Sequence, residues 1–210
     1  MNIINQSVRL VNYTPAPLET IEQCGRVCYK STTCAVPDHM KRIKTEEFVT
    51  NIIRRGHESV LEHVSFTFHI VTSRGVSHEL VRHRTGIAFS QESTRYCNYN
   101  RSMNFIIPSE KIDMDEYIKS CQDIENLYRK WIDNGISPQN ARVLLNHGLK
   151  TELFMTVNAR ELRHIFKLRL DYAAHPDMRF LMNLLVESIK DKEFFNVLFS
   201  DVVPVKKKGE

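Results

Sequence analysis

Residues 64–71 alternate: Val64, Phe66, Phe68 and Ile70 are apolar, and Ser65, Thr67 and His69 stand between them. A period of two sends one set to each face, so this stretch is predicted as a half-buried strand. Elsewhere the spacing is helical. Leu18 to Tyr29 places Ile21, Cys24 and Cys28 on one face. Glu46 to Arg55 reads as a helix capped by Thr45 and ended by Gly56, with two acids in its first turn to suit the dipole. A short helix is expected from Val76 to Arg82, and a long amphipathic one, holding the single Trp, from Asp115 to Asn134. Ser137-Pro138 opens another, with Ser at the cap and Pro at the first helical position. Glu152 to Val157 is apolar and partly β-branched, which predicts a second core strand. Asn158 then caps a helix from Ala159 to Leu170. Met178 to Lys190 is the last long helix, and 193–203 is helical or irregular. Residues 2–12 alternate weakly, as an edge strand would. Helices outnumber strands and no βαβ order recurs, which argues against a doubly wound sheet. The expectation is one α+β domain spanning 1–210, a small mixed or antiparallel sheet flanked by several helices.

Composition narrows the classes. The chain has 210 residues, 42% of them hydrophobic, enough for one proper core. A net charge of +4 is mild beside that of dedicated duplex-DNA binders, and Lys206-Lys207-Lys208 is too short a basic cluster to argue for nucleic acid. No apolar run is long enough for a membrane span, and the first residues lack the basic-then-apolar order of a signal peptide. The five cysteines (Cys24, Cys28, Cys34, Cys97 and Cys121) are odd in number and form no Cys-x-x-Cys pair. They read as reduced thiols in a cytoplasmic protein. Cys24 and Cys28, one turn apart, are either a metal half-site or two part-buried thiols, the second being the commoner case.

The most informative stretch is Arg82-His83-Arg84, followed by Ser90-Gln91-Glu92-Ser93-Thr94-Arg95-Tyr96. Adjacent cations repel, and the usual reason to fold them together is an anion, most often phosphate, whose oxygens match the guanidinium fork. In a helix the two arginines point about 200° apart; in an extended chain they share a face. The bland alternative pairs them with surface acids such as Glu79. The 90–95 run adds hydroxyls, an amide and a carboxylate suited to phosphate, ribose and base.

A second stretch runs from Thr156-Val157-Asn158-Ala159-Arg160 to Arg169. Here a strand ends at a helix N-terminus, whose free N–H groups attract an anion or a flavin edge. Arg160 and His164 share one face. Arg169 extends the apolar stripe of Leu162, Ile165 and Phe166, where an unpaired cation is costly. It needs a ligand anion or an acid such as Asp171 or Asp177. A third stretch, His57-Glu58-Ser59 to Glu62-His63, superficially suggests zinc, but its histidines are six apart where a zincin helix needs four. The chain has no Gly-x-Ser-x-Gly elbow, Walker loop or dinucleotide fingerprint, and no nucleophile stands out.

These segments, in this order, resemble the flavin-dependent thymidylate synthases, marked by Arg-His-Arg, seven residues, Ser, and a closing Arg-Tyr. Eight residues rather than seven separate Arg84 from Ser93, as an insertion near Gly86 would explain. His57–His63 with Phe66-Thr67-Phe68, the Asn158–Arg169 segment, and Ala141-Arg142 support the likeness, which covers roughly residues 40 to 170. The resemblance implies that fold and a cytoplasmic homotetramer with active sites where subunits meet. It implies reductive methylation of deoxyuridine monophosphate (dUMP) to thymidine monophosphate. Methylenetetrahydrofolate is the carbon donor, and FAD reduced by NADPH is the hydride donor. It assigns FAD to Ser59, Arg82, His83, Arg84, Gln91, Asn158, Arg160 and His164. It assigns dUMP to Glu79, Arg82, Gln91, Glu92, Ser93, Thr94, Arg95, Arg142 and Arg169. Arg169 is the catalytic residue, stabilising charge on the pyrimidine; His57 is the folate contact; no metal is implied. Glu79 stands where the family has Gln, and His164 where some relatives have an amide. The other readings are a nucleotide- or RNA-binding module, which lacks the stacking aromatics beyond Phe89, Tyr96 and Tyr99, and a zinc hydrolase, which the histidine spacing disfavours.

Overall fold

The alternation at 64–71 forms one of the two inner strands of a four-stranded sheet. In the computed structural model, residues 1–28 and 44–204 are described. In chain order the elements are β1 (Asn2–Ile4), β2 (Ser7–Tyr13), α1 (Pro17–Cys28), α2 (Thr45–Arg54), a 3-10 turn (Glu58–His63), β3 (Ser65–Ser73) and α3 (Arg74–Leu80). Then follow β4 (Ile87–Gln91), β5 (Asn104–Ile106), α4 (Met114–Asp133), α5 (Pro138–Ala141), a 3-10 turn (Arg142–Leu144), β6 (Lys150–Asn158), α6 (Ala159–Arg169), α7 (Pro176–Ile189) and α8 (Phe195–Leu198). The main sheet has the order β2-β3-β6-β4, antiparallel throughout. A separate two-stranded parallel sheet joins β1 to β5. The α+β class is as expected.

Period two decides what the sheet buries. Phe66, Phe68 and Ile70 of β3, with Leu153, Met155 and Val157 of β6, lie in the core. The rings of Phe194 and Phe199 close on Phe66 at 5.2 and 5.7 Å. Each fully buried side chain of this size contributes about 1.5–3 kcal/mol, and a well-placed ring pair about 0.5–1.5 kcal/mol more. The alternate positions Thr67, His69, Glu152 and Thr156 keep partial exposure, and the Thr67 and Thr156 hydroxyls meet at 3.0 Å. A second cluster, Met103, Phe105, Cys121, Tyr128 and Leu149, packs α4 against β5.

The boundaries differ from expectation for identifiable reasons. Thr45 does not cap α2; it is that helix's first residue, and its hydroxyl donates to Glu22. Ser137 stands at a cap position without a capping bond, and its helix lasts one turn. The long helix starts at Met114 because Asp113 accepts from the Asp115 and Glu116 amides. Asn158 does cap α6, accepting from the Glu161 amide at 2.8 Å. Residues 87–91, for which no element was expected, form the edge strand β4, paired with β6. Cys24 and Cys97 are half-buried free thiols, Cys28 is exposed and Cys121 is buried; Cys34 and Lys206–Lys208 lie outside the described residues. Among the described residues no helix is long and apolar enough to cross a membrane.

Candidate functional site

The site grows from the junction where β6 hands over to α6. Asn158 ends the strand and caps the helix, and its own amide donates to the Gly86 carbonyl at 2.8 Å. That bond draws the 83–86 turn against the helix N-terminus. Gly86 has φ +65°, and a Cβ there would lie 2.2 Å from the Asn158 amide nitrogen. Only glycine suits both the left-handed backbone and this approach. Arg82-His83-Arg84 is therefore neither helical nor extended, but a turn leaving α3. His83 is buried, whereas Arg82 and Arg84 are exposed. Neither pairs with Glu79, which instead faces Arg169.

His83 is held at both ring nitrogens. Arg169 Nε donates to His83 Nε2 at 3.2 Å, and His83 Nδ1 lies 3.1 Å from Glu161 Oε1. A guanidinium only donates, so Nε2 is the acceptor and Nδ1 carries the proton toward Glu161. Burial first, then the Arg169 charge, lower the His83 pKa; the Glu161 contact opposes them and loses. Arg169 Nη1 also reaches Glu79 Oε2 at 3.5 Å. The acid beside Arg169 is therefore Glu79, not Asp171 or Asp177. Two of the five guanidinium N–H groups are engaged, leaving three for a ligand. His83, Glu161 and His164 are the one cluster of metal-ligand type among the described residues. The one lone pair of His83 is, however, taken up by the Arg169 hydrogen bond.

Nine of the predicted residues line four clefts of one chain, and Arg169, His83, Arg84, Ser93, Arg95, Ser59 and His57 line none of these four. The largest, about 880 Å³, is lined by Thr85, Asn158, Arg160, His164, Arg54 and Lys167, among others. Arg160 binds Glu62 at 2.6 Å on its rim, and Ser59 is exposed in the adjoining 3-10 turn, with His57 just before it. A second cleft, about 620 Å³, takes Glu79 and Arg82. A third, about 550 Å³, takes Thr94 and Arg142. A shallow groove of about 460 Å³ takes Gln91 and Glu92. Ser93 accepts from the Arg95 amide at 3.3 Å, and the exposed Arg95 lies 5.3 Å over the Tyr96 ring. One chain thus groups the helix-terminus set and keeps the 91–95 set apart from it.

The 91–95 segment is braced from beneath, through residues the sequence reading passed over. Gln91 Nε2 donates to Ser77 and Thr151 at 2.9 and 3.0 Å. The Glu92 carboxylate accepts from Tyr99 at 2.6 Å and from Lys150 at 2.9 Å. Lys150 also binds Glu152 at 2.9 Å, and Glu152 meets His69 at 2.6 Å. Burial opposes the Lys150 charge, but hydrogen bonds to Glu152 and Glu92 outweigh it and raise its pKa. The signal for this was visible: Lys150 and Glu152 share the polar face of a strand.

Fold and site together define an α+β protein in which one sheet presents a helix N-terminus, a turn bearing Arg82 and Arg84, and a braced 91–95 segment. The family described as thymidylate synthase complementing protein matches residues 9–193. The flavin-dependent thymidylate synthase of Pyrococcus furiosus is 36% identical over 197 residues, 89% of this chain and 80% of that protein. That of Geobacter sulfurreducens is 32% identical over 193 residues, covering 87% and 82%. Among solved structures, thymidylate synthase X from Helicobacter pylori, with FAD and dUMP, superposes with a TM-score of 0.76 at 25% identity, over 95% of this chain and all of that one. The UMP/dUMP methylase PolB of Streptomyces cacaoi, at 22% identity and a TM-score of 0.73, shares the fold. The chain belongs to the flavin-dependent thymidylate synthase family.

Proposed function

We propose that this chain, as one domain over residues 1–210, methylates dUMP at the pyrimidine to give thymidine monophosphate. FAD is its cofactor, methylenetetrahydrofolate supplies the carbon, NADPH supplies reducing equivalents, and the reaction runs in the cytoplasm. The observation that carries this reading is the hydrogen-bonded row Glu79–Arg169–His83–Glu161. It fixes a half-buried guanidinium with three donors unspent, near a cleft lined by the α6 N-terminus and by the unpaired Arg54 and Lys167.

That cleft suits FAD. Arg54 and Lys167 line it with no ion pair among the described residues, and Gly86 lets the turn close directly onto the Asn158 side chain at the helix end. Ser59, Arg82, His83, Arg84, Gln91, Asn158, Arg160 and His164 are the residues assigned to hold it. When bound and reduced, FAD supplies hydride. The protein's part is to position and polarise. Glu79, Arg82, Gln91, Glu92, Ser93, Thr94, Arg95 and Arg142 are assigned to dUMP, and His57 to folate. Arg169 stabilises negative charge as it develops on the base in a water-poor pocket, an effect worth about 3 kcal/mol for one such donor. No cysteine nucleophile is needed. The dispersal of these residues over four clefts fits a homotetramer in which neighbouring subunits complete each site.

The test is direct. Purified protein supplied with dUMP, methylenetetrahydrofolate, FAD and NADPH should form thymidine monophosphate. FAD-loaded protein that forms none under these conditions would remove the proposal.

A further inference from the structure

Arg163 stands in the middle of α6 and is only 5% exposed. A charge so deep is costly unless it is fully answered. Its fork is answered from the C-terminal part of the chain. Nη1 and Nη2 donate to the two Asp201 carboxylate oxygens at 2.7 Å each. Nη1 also donates to the carbonyl of Leu198, the last residue of α8, where a helix end leaves its carbonyls without intrahelical partners. The paired bonds keep Asp201 ionised: they lower its pKa and outweigh the opposing effect of burial.

The third nitrogen meets a different segment. Arg163 Nε is buried without a hydrogen bond and lies 3.7 Å from Glu58 Oε1. Glu58 Oε2 lies 3.9 Å from Arg160 Nε, and Arg160 binds Glu62 at 2.6 Å. Charges therefore alternate along one row, Asp201–Arg163–Glu58–Arg160–Glu62. The row joins the stretch after α8, the first turns of α6 and the 3-10 turn that carries Ser59, and all five side chains line the largest cleft. Arg163 is its one buried member; the other four side chains keep between 35% and 53% of their surface exposed.

The stretch after α8 has a separate footing in the core. Phe199 is fully buried, and its ring meets those of Phe66 and Phe166 at 5.7 and 5.6 Å. That packing holds the chain down at Phe199. It does not fix where Asp201 and Val202, which follow it, stand along the cleft wall. The guanidinium fork supplies that second constraint, because its bidentate geometry admits one orientation of the carboxylate.

We propose that Arg163 is a positioning residue for the flavin cleft: through Asp201 it sets the C-terminal wall, and through Glu58 it sets Arg160 and the 3-10 turn opposite. This rests on the flavin reading of that cleft and adds to it a residue that works through its neighbours rather than on the cofactor.

The experiment titrates flavin-free protein with FAD. The dissociation constant is read from quenching of flavin fluorescence, and the circular dichroism of the bound flavin gives a second signature. Asp201→Asn and Glu58→Gln each keep the side chain's shape and remove its charge. Each should weaken FAD binding roughly tenfold, the scale of coupling carried by a connected network, and each should alter the dichroism of the bound flavin. Because both act through Arg163, the double variant should lose clearly less than the product of the two losses. Asp201→Glu should keep most of the affinity. Arg163→Lys, which retains the charge but not the fork, should match the double variant; should it not fold, the two acid variants still decide the matter. Leu185→Ala, a core change in α7 that does not line the cleft, should lower the melting temperature and leave the FAD dissociation constant in place well below that transition. Wild-type affinity in both single variants would overturn the inference. So would fully multiplicative losses in the double variant, or FAD affinity that follows melting temperature in every variant, Leu185→Ala included. A wild type that takes up no FAD would sink the flavin reading itself, a result separable from failure of the row.

Discussion

Arg169 donates through Nε to His83 Nε2 at 3.2 Å, so a histidine from the turn after α3 sets the direction of an arginine at the end of α6. Because that nitrogen must accept, the imidazole is neutral with its proton on the Glu161 side. The arginine keeps its outer donors for a ligand. Replacing Arg169 by Ala should cut dUMP-dependent oxidation of the reduced flavin by a factor of about 10² to 10³, with the circular dichroism spectrum unchanged. Arg169→Lys should restore little, since an ammonium cannot reproduce the fork. Stopped-flow absorbance checks this, and wild-type turnover in Arg169→Ala would show its role to be misassigned.

His83 gives the fold a pH dependence of definite sign. Its folded pKa lies below the ordinary 6.5, so folding favours the neutral ring. The associated stability is present above about pH 6.5 and is lost as pH falls through the lower folded value, because the unfolded chain takes up the proton first. The melting temperature should drop between pH 7 and pH 5.5, and less steeply in His83→Gln. His78, whose pKa is also lowered, chiefly by burial, keeps part of the slope. Equal slopes in wild type and variant would contradict the assignment.

Gly86→Ala should be among the costlier small substitutions in the chain. The left-handed backbone alone costs a non-glycine residue about 1–2 kcal/mol, and the new Cβ would displace the Asn158 side chain, found 2.2 Å away, from its capping bond, worth about 1 kcal/mol more. A melting-temperature loss of several degrees with reduced FAD retention is expected. Unchanged flavin content would show that the turn does not shape the cofactor cleft.

How much of this was legible beforehand follows the physics. Period-two alternation marked β3, and Asn158 declared itself as a cap, because both signals are local. Edge strand β4 was hidden because it is short and its partner positions on β6 lie 62 to 70 residues on in sequence. The salt-bridge partner of Arg169 was misjudged for a related reason. Glu79 is 90 positions away, whereas Asp171 and Asp177 are near in sequence, and periodicity carries no information about contacts between elements. Lys150 was overlooked because a lysine and an acid two apart on a strand's polar face look solvated until the turn after β4 brings Glu92 within 2.9 Å as well.

That bridge makes its own prediction. Lys150→Met would leave Glu92 with Tyr99 alone and Glu152 with His69 alone, so the 92–95 turn should loosen while the flavin cleft, at the other end of β6, stays intact. The expected result is a rise of about tenfold in the KM for dUMP, consistent with loss of a charge-assisted hydrogen bond, with flavin content held and Lys150→Arg partly restored. A fall in kcat with unchanged KM would place Lys150 elsewhere in the reaction.

The account as a whole is tested most directly by the visible absorbance spectrum of the purified protein before and after adding dUMP. It predicts a yellow protein that releases FAD on denaturation and whose flavin bands shift when the nucleotide binds beside them. A colourless protein that takes up no added FAD, or a bound flavin indifferent to saturating dUMP, would contradict it.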